Sequence, residues 1–461
     1  MTSFETQSGK IAILGFGREG LDLLRFFHKL KVKPVVLNDT EILSTHPAYR
    51  EIQKFASAVR TGTGYLKGLA DFDLVFRSPG VPLDLAAIKQ AARQGVTLSS
   101  LTKLFFDLCP AKIIGVTGTK GKSTTAALIY HLLKGKTKGK AYFGGNIGYP
   151  PLQLLTKLTK QDVIVLELSS FQLEDLTKSP QVAVLLGIAP EHLDRHKTFK
   201  KYMAAKLNLV RYQNKNDFTV VSADEAISAV VAKTTKGKII KYSSRKILPR
   251  GVYLAGEEII YRHVRTGHRQ VVIQAQNVPL LGQHNLGNVL AALTVALLLE
   301  VPLARIQRQI KTFSGLEHRL ELVGHKHKVQ FIDDSLATTP VATMAAIQTL
   351  TGPISLILGG STKKEKFTEL VRLLITKDIQ GVVLIGATAP VLEKSFKTAK
   401  VKFPFMKAAD FPSAVRQAYR YAAPEGTVLL SPACASFGWF RDAYDRGAQF
   451  KQLVEQIISG K

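Results

Sequence analysis

Short apolar runs alternate with longer amphipathic stretches along the N-terminal part of the chain. The run within 10–20 (KIAILGFGREG) is broken by glycines and is followed by a stretch with helical spacing, LDLLRFFHKL. Two further apolar runs, at 34–37 and 73–76, each end in a turn sequence. Apolar runs that alternate with helical patterns are typical of a parallel sheet built from βαβ units. We therefore predict an α/β domain that ends near Cys109 and Pro110.

The same alternation starts again twice further along the chain. In the second segment, buried strands are predicted at 112–116, 162–166 and 182–188. Residues 231–280 look like short hairpins rather than βαβ units, and a helix is predicted over 285–299. In the third segment, strands are predicted at 329–332, 354–358, 381–385 and 427–430.

These segments predict three domains of the α/β class, since a chain of 461 residues is long for one core. The predicted bounds are 1–110, 111–315 and 316–461. We expect a Rossmann-like first domain, a central P-loop ATPase-like domain with a parallel sheet, and a Rossmann-like third domain.

Basic residues outnumber acidic residues by a wide margin. The chain has 63 Lys and Arg against 35 Asp and Glu, which gives a formal net charge of +28. Such an excess is one signature of nucleic-acid binding. Here the basic residues are spread out, and no arginine-rich run or interleaved aromatic motif accompanies them. A basic bias shared by the whole proteome, together with anionic substrates, explains the charge at least as well, and we favour that explanation.

Other features of the composition bear on the compartment. The longest apolar stretch, 289–299, is shorter than the roughly 20 residues that span a bilayer, so we interpret it as a buried core helix. Residues 1–10 lack the apolar region of an export signal. The two cysteines, Cys109 and Cys434, exclude a disulfide framework. We therefore expect a cytoplasmic protein without a membrane span.

The clearest candidate site is a glycine-containing loop, TGTKGKSTT, that directly follows the predicted strand 112–116. Backbone N–H groups of such a loop, together with a helix N-terminus, form an anion cradle. Lys122 is expected to reach the β- and γ-phosphates, with Ser123 or Thr124 placing a hydroxyl near Mg²⁺. The loop is a variant, because Val116 occupies the position of the usual first glycine. The predicted nucleotide-binding residues are Thr119, Lys120, Gly121, Lys122, Ser123, Thr124 and Thr125.

Two further strings supply candidate metal ligands. Glu167 ends a predicted strand, and polar residues at the carboxyl end of a parallel strand face the ligand crevice. The string PEHLDRH (190–196) follows the next strand and contains His192. Carboxylate oxygen suits Mg²⁺, and one imidazole can join it. Taken alone, His192 is better explained as a structural or surface histidine, but its position after a phosphate loop and Glu167 favours a ligand.

A second glycine-rich loop, 15–20 (GFGREG), fits the dinucleotide-binding pattern G-x-G-x-x-G, with Asp39 about 20 residues further on. This pattern supports a rival hypothesis, an NAD(P)-dependent oxidoreductase. No candidate hydride-transfer site accompanies it. The same loop can hold the pyrophosphate of any nucleotide-linked substrate, and we prefer this use.

Taken in order, the motifs resemble those of the Mur ligases of peptidoglycan synthesis over essentially the whole chain. The strings that carry the resemblance are GVTGTKGKSTT, FGGNIG (143–148), ELSSFQL, PEHLDRH, YMAAKLNLV (202–210), GQHNLGNVLAA (282–292), GLEHRLE (315–321), DDSLATTP (333–340) and LSPACASFGWFRDAYDRG (430–447). The last string and the GxGxxG opening are most similar to those of the members that add D-glutamate. A related amide ligase with another amino acid or acceptor, as in folylpolyglutamate synthesis, stays open as the alternative.

The resemblance implies an ATP-dependent ligase that joins D-glutamate to UDP-N-acetylmuramoyl-L-alanine through an acyl phosphate and releases ADP and phosphate. It also implies two Mg²⁺ ions, and we expect the protein to act as a monomer. The residues implied for the UDP-linked substrate are Gly15, Gly17, Arg18, Asp39, Thr40, Ser78, Pro79, Gly80 and Asn146. Those implied for D-glutamate are Thr338, Lys363, Ser431 and Phe437.

For ATP, the resemblance adds Asn288, Arg319 and Asp334 to the phosphate loop. The implied metal ligands are Ser123, Glu167, His192 and Lys206, and the implied catalytic residues are Lys122, His192, Lys206 and Arg319. Lys206 matches a lysine that is carbamylated in many members, where the new carboxylate supports the second metal.

Several positions depart from the family pattern. Lys120 replaces the usual asparagine of the ATP loop, which adds charge beside the phosphates. Leu336 stands where a lysine is usual, the string 358–364 lacks the usual acid after its two glycines, and Glu41 stands where an arginine often follows Asp39-Thr40. The last three departures bear on the amino-acid specificity rather than on the reaction type.

Overall fold

The computed structural model describes residues 9–44, 48–135, 138–278, 284–313, 315–361 and 366–460. They divide into two compact units. The described residues of Met1–Val278 and Leu286–Lys311 form the first unit, and those of Thr312–Lys461 form most of the second. Three sheets build these units, two in the first and one in the second. The bounds predicted for three domains stay a prediction.

The first sheet is parallel throughout and lies at the N-terminal end of the first unit. Its strands are β1 (Ile11–Leu14), β2 (Val35–Asn38), β3 (Ala58–Thr61), β4 (Leu74–Arg77) and β5 (Thr97–Ser99). Its helices are α1 (Arg18–Lys29), α2 (Tyr49–Phe55), α3 (Ala86–Arg93) and α4 (Leu101–Leu108), with a 3₁₀ turn at Leu69–Asp71. The strand order is β3-β2-β1-β4-β5. The order reverses at β1, so the loops after β1 and β4 converge at a crevice where α/β sheets bind ligands.

The second sheet has nine strands and follows directly in the chain. Its strands are β6 (Lys112–Thr117), β7 (Ala141–Gly145), β8 (Val163–Glu167), β9 (Val182–Leu185), β10 (Phe218–Ser222), β11 (Lys238–Ser243), β12 (Gly251–Ala255), β13 (Glu258–Arg262) and β14 (Arg269–Gln274). The accompanying helices are α5 (Lys122–Leu133), α6 (Pro151–Leu154), α7 (Ser170–Leu173), α8 (Leu193–His196), α9 (Phe199–Arg211), α10 (Ile227–Thr234), α11 (His284–Leu298) and α12 (Leu303–Lys311), with a 3₁₀ turn at Ala275–Asn277. The strand order is β14-β13-β12-β11-β10-β9-β6-β8-β7.

The prediction of short hairpins over 231–280 is wrong for the first part of that range. The end of α10 and all of β11 lie there, and β11 pairs in parallel with β10, so this part is a βαβ unit. Only β12, β13 and β14 form antiparallel hairpins. The helical spacing of α10 is carried by two buried residues, Ile227 and Val231, which lie one helical turn apart. The range 231–280 contains only the second of them, so the helical pattern is not visible within that range.

The third sheet belongs to the second unit. Its strands are β15 (Glu321–Lys326), β16 (Lys328–Asp333), β17 (Ile354–Gly359), β18 (Ile379–Ile385), β19 (Phe405–Lys407) and β20 (Glu425–Leu430). Its helices are α13 (Pro340–Thr349), α14 (Thr368–Ile375), α15 (Ala389–Ala399), α16 (Phe411–Ala422) and α17 (Ala443–Ser459). The order is β15-β16-β20-β17-β18-β19, and only the edge strand β15 runs antiparallel to its neighbour.

The fold class predicted from the sequence is confirmed, because most strands of all three sheets pair in parallel through helical crossovers. The apolar stretch 289–299 lies mostly in α11, whose residues from Val289 to Ala296 are almost entirely buried, as the prediction of a core helix requires. Among the described residues, no helix is both long and apolar enough to cross a membrane.

Candidate active site

The phosphate loop lies between β6 and α5, as the sequence predicted. Gly121 precedes the first residue of α5 and has a φ of +81°, in the left-handed region that favours glycine. A Cβ atom on Gly121 would lie 2.1 Å from Oδ1 of Asn288. Asn288 is buried on α11, and its Oδ1 also accepts a hydrogen bond from Thr125 Oγ1 at 3.3 Å. The loop conformation and the position of α11 therefore both depend on this glycine.

Replacement of Gly121 by alanine is expected to destabilise the protein by about 1–3 kcal/mol, because the left-handed backbone is strained for alanine and Asn288 must move. Thermal and urea unfolding would measure the change. Gly287→Ala is the control, since Gly287 lies on α11 beside Asn288 and a Cβ there meets nothing within 4 Å. That variant should be no less stable than the wild type. Equal destabilisation by the two substitutions would contradict the steric argument.

Lys122 folds over the loop that precedes it. Its Nζ donates hydrogen bonds to the backbone oxygens of Gly118, at 3.1 Å, and Thr119, at 2.8 Å. The ammonium group thus lies at the mouth of the loop, next to the N-terminus of α5. A positive charge and a helix N-terminus in this arrangement favour an anionic ligand.

Glu167 forms the centre of a polar cluster at the carboxyl end of β8. Its side chain is buried, and both of its carboxylate oxygens have partners. Ser123 Oγ donates to Oε2 at 2.7 Å, and Asn146 Nδ2 donates to Oε1 at 3.2 Å. Three residues that the sequence predicted for the site are therefore in direct contact, although they come from three different segments of the chain.

Lys206 reaches the same loop from α9. Its Nζ donates to the backbone oxygen of Gly118 at 2.7 Å and lies 4.7 Å from the centre of the Tyr202 ring. The side chain is buried. Burial, together with the positive charge of Lys122, lowers the pKa of Lys206 to about 7. A substantial fraction of this amine is therefore neutral near physiological pH.

Tyr202 contacts the candidate site, although the sequence did not single it out. Its hydroxyl lies 3.0 Å from Thr119 Oγ1 and 3.5 Å from Glu191 Oε2. Burial raises the pKa of Tyr202 to about 12. The sequence feature that could have indicated Tyr202 is its position one helical turn before Lys206, on the same face of α9.

His192 and His196 have different environments. His192 has a φ of +53° at the start of α8, about half of its side chain is exposed, and its Nε2 lies 3.8 Å from Glu191 Oε2. His196 is buried, stacks on Phe171 and has its Nε2 3.0 Å from Ser170 Oγ. His192 is thus accessible to a ligand, whereas His196 serves the packing of α8 on α7.

The glycine-rich loop after β1 is held by its neighbours in the first sheet. The Phe16 N–H donates to Asn38 Oδ1 at 2.8 Å, and Ser78 Oγ donates to the backbone oxygen of Gly15 at 2.6 Å. The structure therefore brings together the predicted residues Gly15 and Ser78. Asn38 was not predicted as a site residue, although it ends a buried strand next to Asp39. Asp39 and Thr40 are exposed beside it.

Contacts also connect this loop region with the second sheet. Arg18 donates to the backbone oxygen of Asn146 at 3.3 Å, and Arg195 donates to that of Pro79 at 3.4 Å. The buried Arg77, which was not predicted, donates to the backbone oxygen of Val81 at 2.7 Å and lies 3.3 Å from Asp175 Oδ1. The segment from Ser78 to Val81, which includes the predicted Pro79 and Gly80, is therefore fixed from two sides.

The second unit contains its own cluster of predicted residues, at the ends of β16 and β20. Asp334 follows β16, and Ser431 follows β20, the parallel neighbour of β16. Ser431 Oγ donates to Asp334 Oδ2 at 2.7 Å, and the Leu320 N–H donates to Oδ1 at 3.2 Å. Burial raises the pKa of Asp334 to about 7. Ser431 itself is fully buried.

The other predicted residues of this unit are more open. Arg319 is exposed, Thr338 is half-buried, and Phe437 is 60% exposed. The backbone N–H of Thr338 donates to the oxygen of Leu336 at 2.9 Å. Lys363 lies outside the described residues. Arg319 and Phe437 thus offer a guanidinium and an aromatic face to a ligand.

A buried histidine, His318, contacts Asp333, the residue before Asp334. His318 Nδ1 is 2.7 Å from Asp333 Oδ2, and the side-chain ligand atoms of His318, Glu321 and Asp333 lie within 4.8 Å of one another. Lys451 Nζ lies 2.7 Å from Glu321 Oε1, and the backbone N–H of His318 donates to Oε2 of the same carboxylate. Each carboxylate of this cluster therefore already has a partner among protein groups, as expected for a structural network.

A cavity of about 410 Å³ lies at the opposite, amino-terminal edge of the first sheet. Apolar side chains such as Phe76 and Leu104 line it. Both of its lysines are paired, Lys178 with Asp107 and Lys103 with Asp175 at 3.9 Å, and Asp73 accepts from the backbone N–H of Lys10 at 2.6 Å. A catalytic pocket needs convergent polar groups that are left for a ligand. We therefore place the candidate active site at the two loops and not in this cavity.

Family models match most of the chain. Residues 9–100 match the MurD-like N-terminal domain of Mur ligases, 116–296 the Mur ligase middle domain, and 318–434 the Mur ligase glutamate ligase domain. The chain is 36% identical, over 454 residues, to UDP-N-acetylmuramoylalanine–D-glutamate ligase of Acetivibrio thermocellus, which covers 97% of this chain and 96% of that protein. It is also 36% identical to the protein of the same name from Symbiobacterium thermophilum, over 97% of this chain and 98% of that protein.

Solved structures share the fold at low sequence identity. UDP-N-acetylmuramate-alanine ligase MurC from Thermotoga maritima has a TM-score of 0.57 and 16% identity, over 98% of this chain and 100% of that one. MurF ligase from Thermotoga maritima, solved in complex with ADP, has a TM-score of 0.53 and 18% identity, over 93% of this chain and 95% of that one.

Proposed function

The chain belongs to the Mur ligase family of ATP-dependent, amide-bond-forming enzymes, and we propose that it adds D-glutamate to UDP-N-acetylmuramoyl-L-alanine. The relatives at 36% identity over nearly their full length carry the name of this reaction. The matching N-terminal model is that of Mur ligases, which leaves the dinucleotide interpretation of residues 15–20 without support. We also propose that the protein works in the cytoplasm as a monomer.

The observation that carries the proposal is the convergence of Lys122, Glu167 and Lys206 on one phosphate loop. A buried carboxylate that touches the Ser123 hydroxyl fits a divalent cation, and the loop with its lysine fits a triphosphate. We propose that Ser123, Glu167, His192 and Lys206 hold two Mg²⁺ ions. When bound, these ions neutralise the charge that develops on the transferred phosphoryl group. We propose that Asn288, Arg319 and Asp334 contact the adenine, the phosphates and the ribose of ATP.

We propose that each segment of the chain has one binding task. Residues 1–110 bind the UDP part of the substrate through Gly15, Gly17, Arg18, Asp39, Thr40, Ser78, Pro79 and Gly80. Residues 111–315 bind ATP and place the substrate carboxylate through Asn146. Residues 316–461 bind D-glutamate through Thr338, Lys363, Ser431 and Phe437. The three family-model matches fall within these bounds.

The chemistry requires activation of a carboxylate, whose oxygen is a poor leaving group. A carboxylate oxygen of the substrate attacks the γ-phosphorus of ATP, the bond to the bridging oxygen breaks, and ADP leaves. Lys122 and Arg319 balance the negative charge of this transfer and hold the groups in line. The neutral amine of D-glutamate then attacks the acyl carbon, the C–O bond to phosphate breaks, and the amine proton is lost.

The state of Lys206 is part of the proposal. Its neutral amine can attack CO₂, which forms an N–C bond, turns CO₂ into a carboxylate and releases one proton. The pKa of about 7 makes this amine available near neutrality, which an ordinary lysine does not offer. The carbamate keeps one N–H that can still donate to Gly118, and it adds a carboxylate to a site where Mg²⁺ is expected.

The proposed function predicts phosphate release from ATP only when UDP-N-acetylmuramoyl-L-alanine, Mg²⁺ and D-glutamate are all present. The measurement is a colorimetric phosphate assay in which single amino acids are screened, with L-glutamate as the matched control. Release with a different amino acid would support a ligase of another specificity, with the region of Leu336 as the place to look for the cause. If none of the amino acids gives phosphate release, the proposed function is contradicted.

A further inference from the structure

Glu19 connects the glycine-rich substrate loop with the segment that follows Glu167. It is the second residue of α1, and its Oε1 accepts a hydrogen bond from Gln172 Nε2 at 2.6 Å. Oε1 of Gln172 in turn accepts from the Ser169 N–H at 2.9 Å, within the capping box that starts α7. Two hydrogen bonds thus join the start of α1 to the start of α7.

This contact lies where the two binding regions of the first unit meet. Residues 15–17 precede α1 and residues 18–20 form its first turn, while Glu167 lies two residues before the cap of α7. His196 Nε2 is 3.0 Å from Ser170 Oγ on the same short helix. The capping box and the contact with His196 fix α7, so the hydrogen bond from Gln172 anchors the start of α1 on a helix that is already held.

The carboxyl group of Glu19 has few neighbouring groups that balance its charge or bond to its oxygens. The residue is half-buried as a whole, but its Oε2 is shielded from solvent and has no hydrogen-bond partner among the described residues. Arg77 on β4 is the positive charge that faces it, while Asp22 on α1 and Asp175 after α7 add negative charge. Burial is the main cause that raises the pKa of Glu19 to about 7, and Asp22 and Asp175 act in the same direction.

We propose that Glu19 is a positioning residue that holds the substrate loop on α7, and that its carboxyl group takes up one proton when the UDP-linked substrate binds. This inference rests on the proposed function, because the substrate's pyrophosphate is the group that brings further negative charge to the loop 15–20. The proton comes from solvent and binds at Oε2, since Oε1 already accepts from Gln172. No other bond forms or breaks. The neutral acid keeps its contact with Gln172 and removes the repulsion between carboxylate and pyrophosphate.

The sign of the pH dependence follows from this coupling. A group that is protonated more in the complex than in the free protein makes binding weaker as the pH rises. The Kd for UDP-N-acetylmuramoyl-L-alanine should therefore increase about threefold to tenfold between pH 6.5 and 8.5. In Glu19→Gln the side chain is neutral at every pH and still accepts from Gln172. Its Kd should stay near the wild-type value at pH 6.5 over the whole range.

Isothermal titration calorimetry without ATP or Mg²⁺ tests the proposal directly. Titrations at pH 7.5 in HEPES and in Tris, which differ in ionisation enthalpy, give the number of protons taken up on binding. About half a proton is expected for the wild type and close to none for Glu19→Gln. Glu51→Gln is the matched control, because Glu51 lies in the same sheet domain and pairs with Arg25 on the surface of α1. It should behave as the wild type.

The positioning role has a separate measurement. Glu19→Ala removes the contact with Gln172 and should raise the KM for the UDP-linked substrate at least tenfold, with a change of less than threefold in the KM for ATP. The proposal is overturned if the wild type and Glu19→Gln take up equal numbers of protons. It is also overturned if the wild type takes up none between pH 6.5 and 8.5, and neither result depends on the alanine variant. A wild-type protein that does not bind the substrate at any pH would overturn the proposed function, and this inference with it.

Discussion

Replacement of Lys122 by methionine is expected to lower kcat at least ~100-fold, because in the proposed mechanism Lys122 is a preorganised positive charge at the phosphoryl transfer, and one such charge is worth about 10²–10³ in rate. The ammonium group is held over the phosphate loop by the oxygens of Gly118 and Thr119. Methionine keeps the length and the apolar stem of the side chain and removes only its charge and its donors. Steady-state phosphate release with saturating substrates measures the effect.

The control for this variant lies at the other end of the same helix. Lys134 follows α5, is exposed, and has its Nζ 5.4 Å from the Tyr130 ring. Lys134→Met removes the same charge from the same helix without touching the loop, so its kcat should stay within threefold of the wild-type value. A similar loss in both variants would show that the overall charge of the domain, and not the position of Lys122, controls the rate. Thermal unfolding of both variants excludes a loss of fold.

Local sequence patterns were sufficient for the parts of the site that are continuous in the chain. The phosphate loop could be placed because a buried strand, a glycine turn and a helix start occur within one short string. Glu167 could be placed because it ends a strand that is buried at every position, and such ends face the ligand crevice. In both cases the backbone direction decides where the side chain lies.

Contacts between distant segments could not be predicted in the same way. Arg77 ends β4 and Asp175 follows α7, almost 100 residues later in the chain, and nothing in either local sequence indicates that they meet. The contact between Asp334 and Ser431 depends on the parallel pairing of β16 with β20, which are separated in the chain by three other strands. The same limit explains the error over 231–280, since the pattern of β11 does not show whether its partner is parallel. Strand order and register follow from the packing of the whole sheet.

Replacement of Lys206 by alanine is expected to lower kcat about 100-fold, because under the proposed function a ligand or a supporting group of the metal site is lost. If the lysine carries a carbamate, short carboxylic acids such as acetate should restore part of the activity by supplying the missing carboxylate. Lys206→Arg is the matched variant. It keeps a donor for Gly118 but cannot form a carbamate, so it should be as inactive as Lys206→Ala and should not respond to acetate.

The pH dependence of the wild type gives an independent test of the same idea. The folded protein lowers the pKa of Lys206 from its ordinary value of 10.5 to about 7, so the neutral amine is abundant above pH 7 and falls about tenfold for each pH unit below it. Between pH 7 and 10.5 the unfolded chain binds the additional proton, so this group favours the folded state more as the pH rises. Activity in CO₂-depleted buffer should therefore fall from pH 8 to pH 6 and recover on addition of bicarbonate. Two negative results together would contradict the carbamate: acetate does not activate Lys206→Ala, and wild-type activity does not respond to bicarbonate. Lys206 would then be only a buried donor to Gly118.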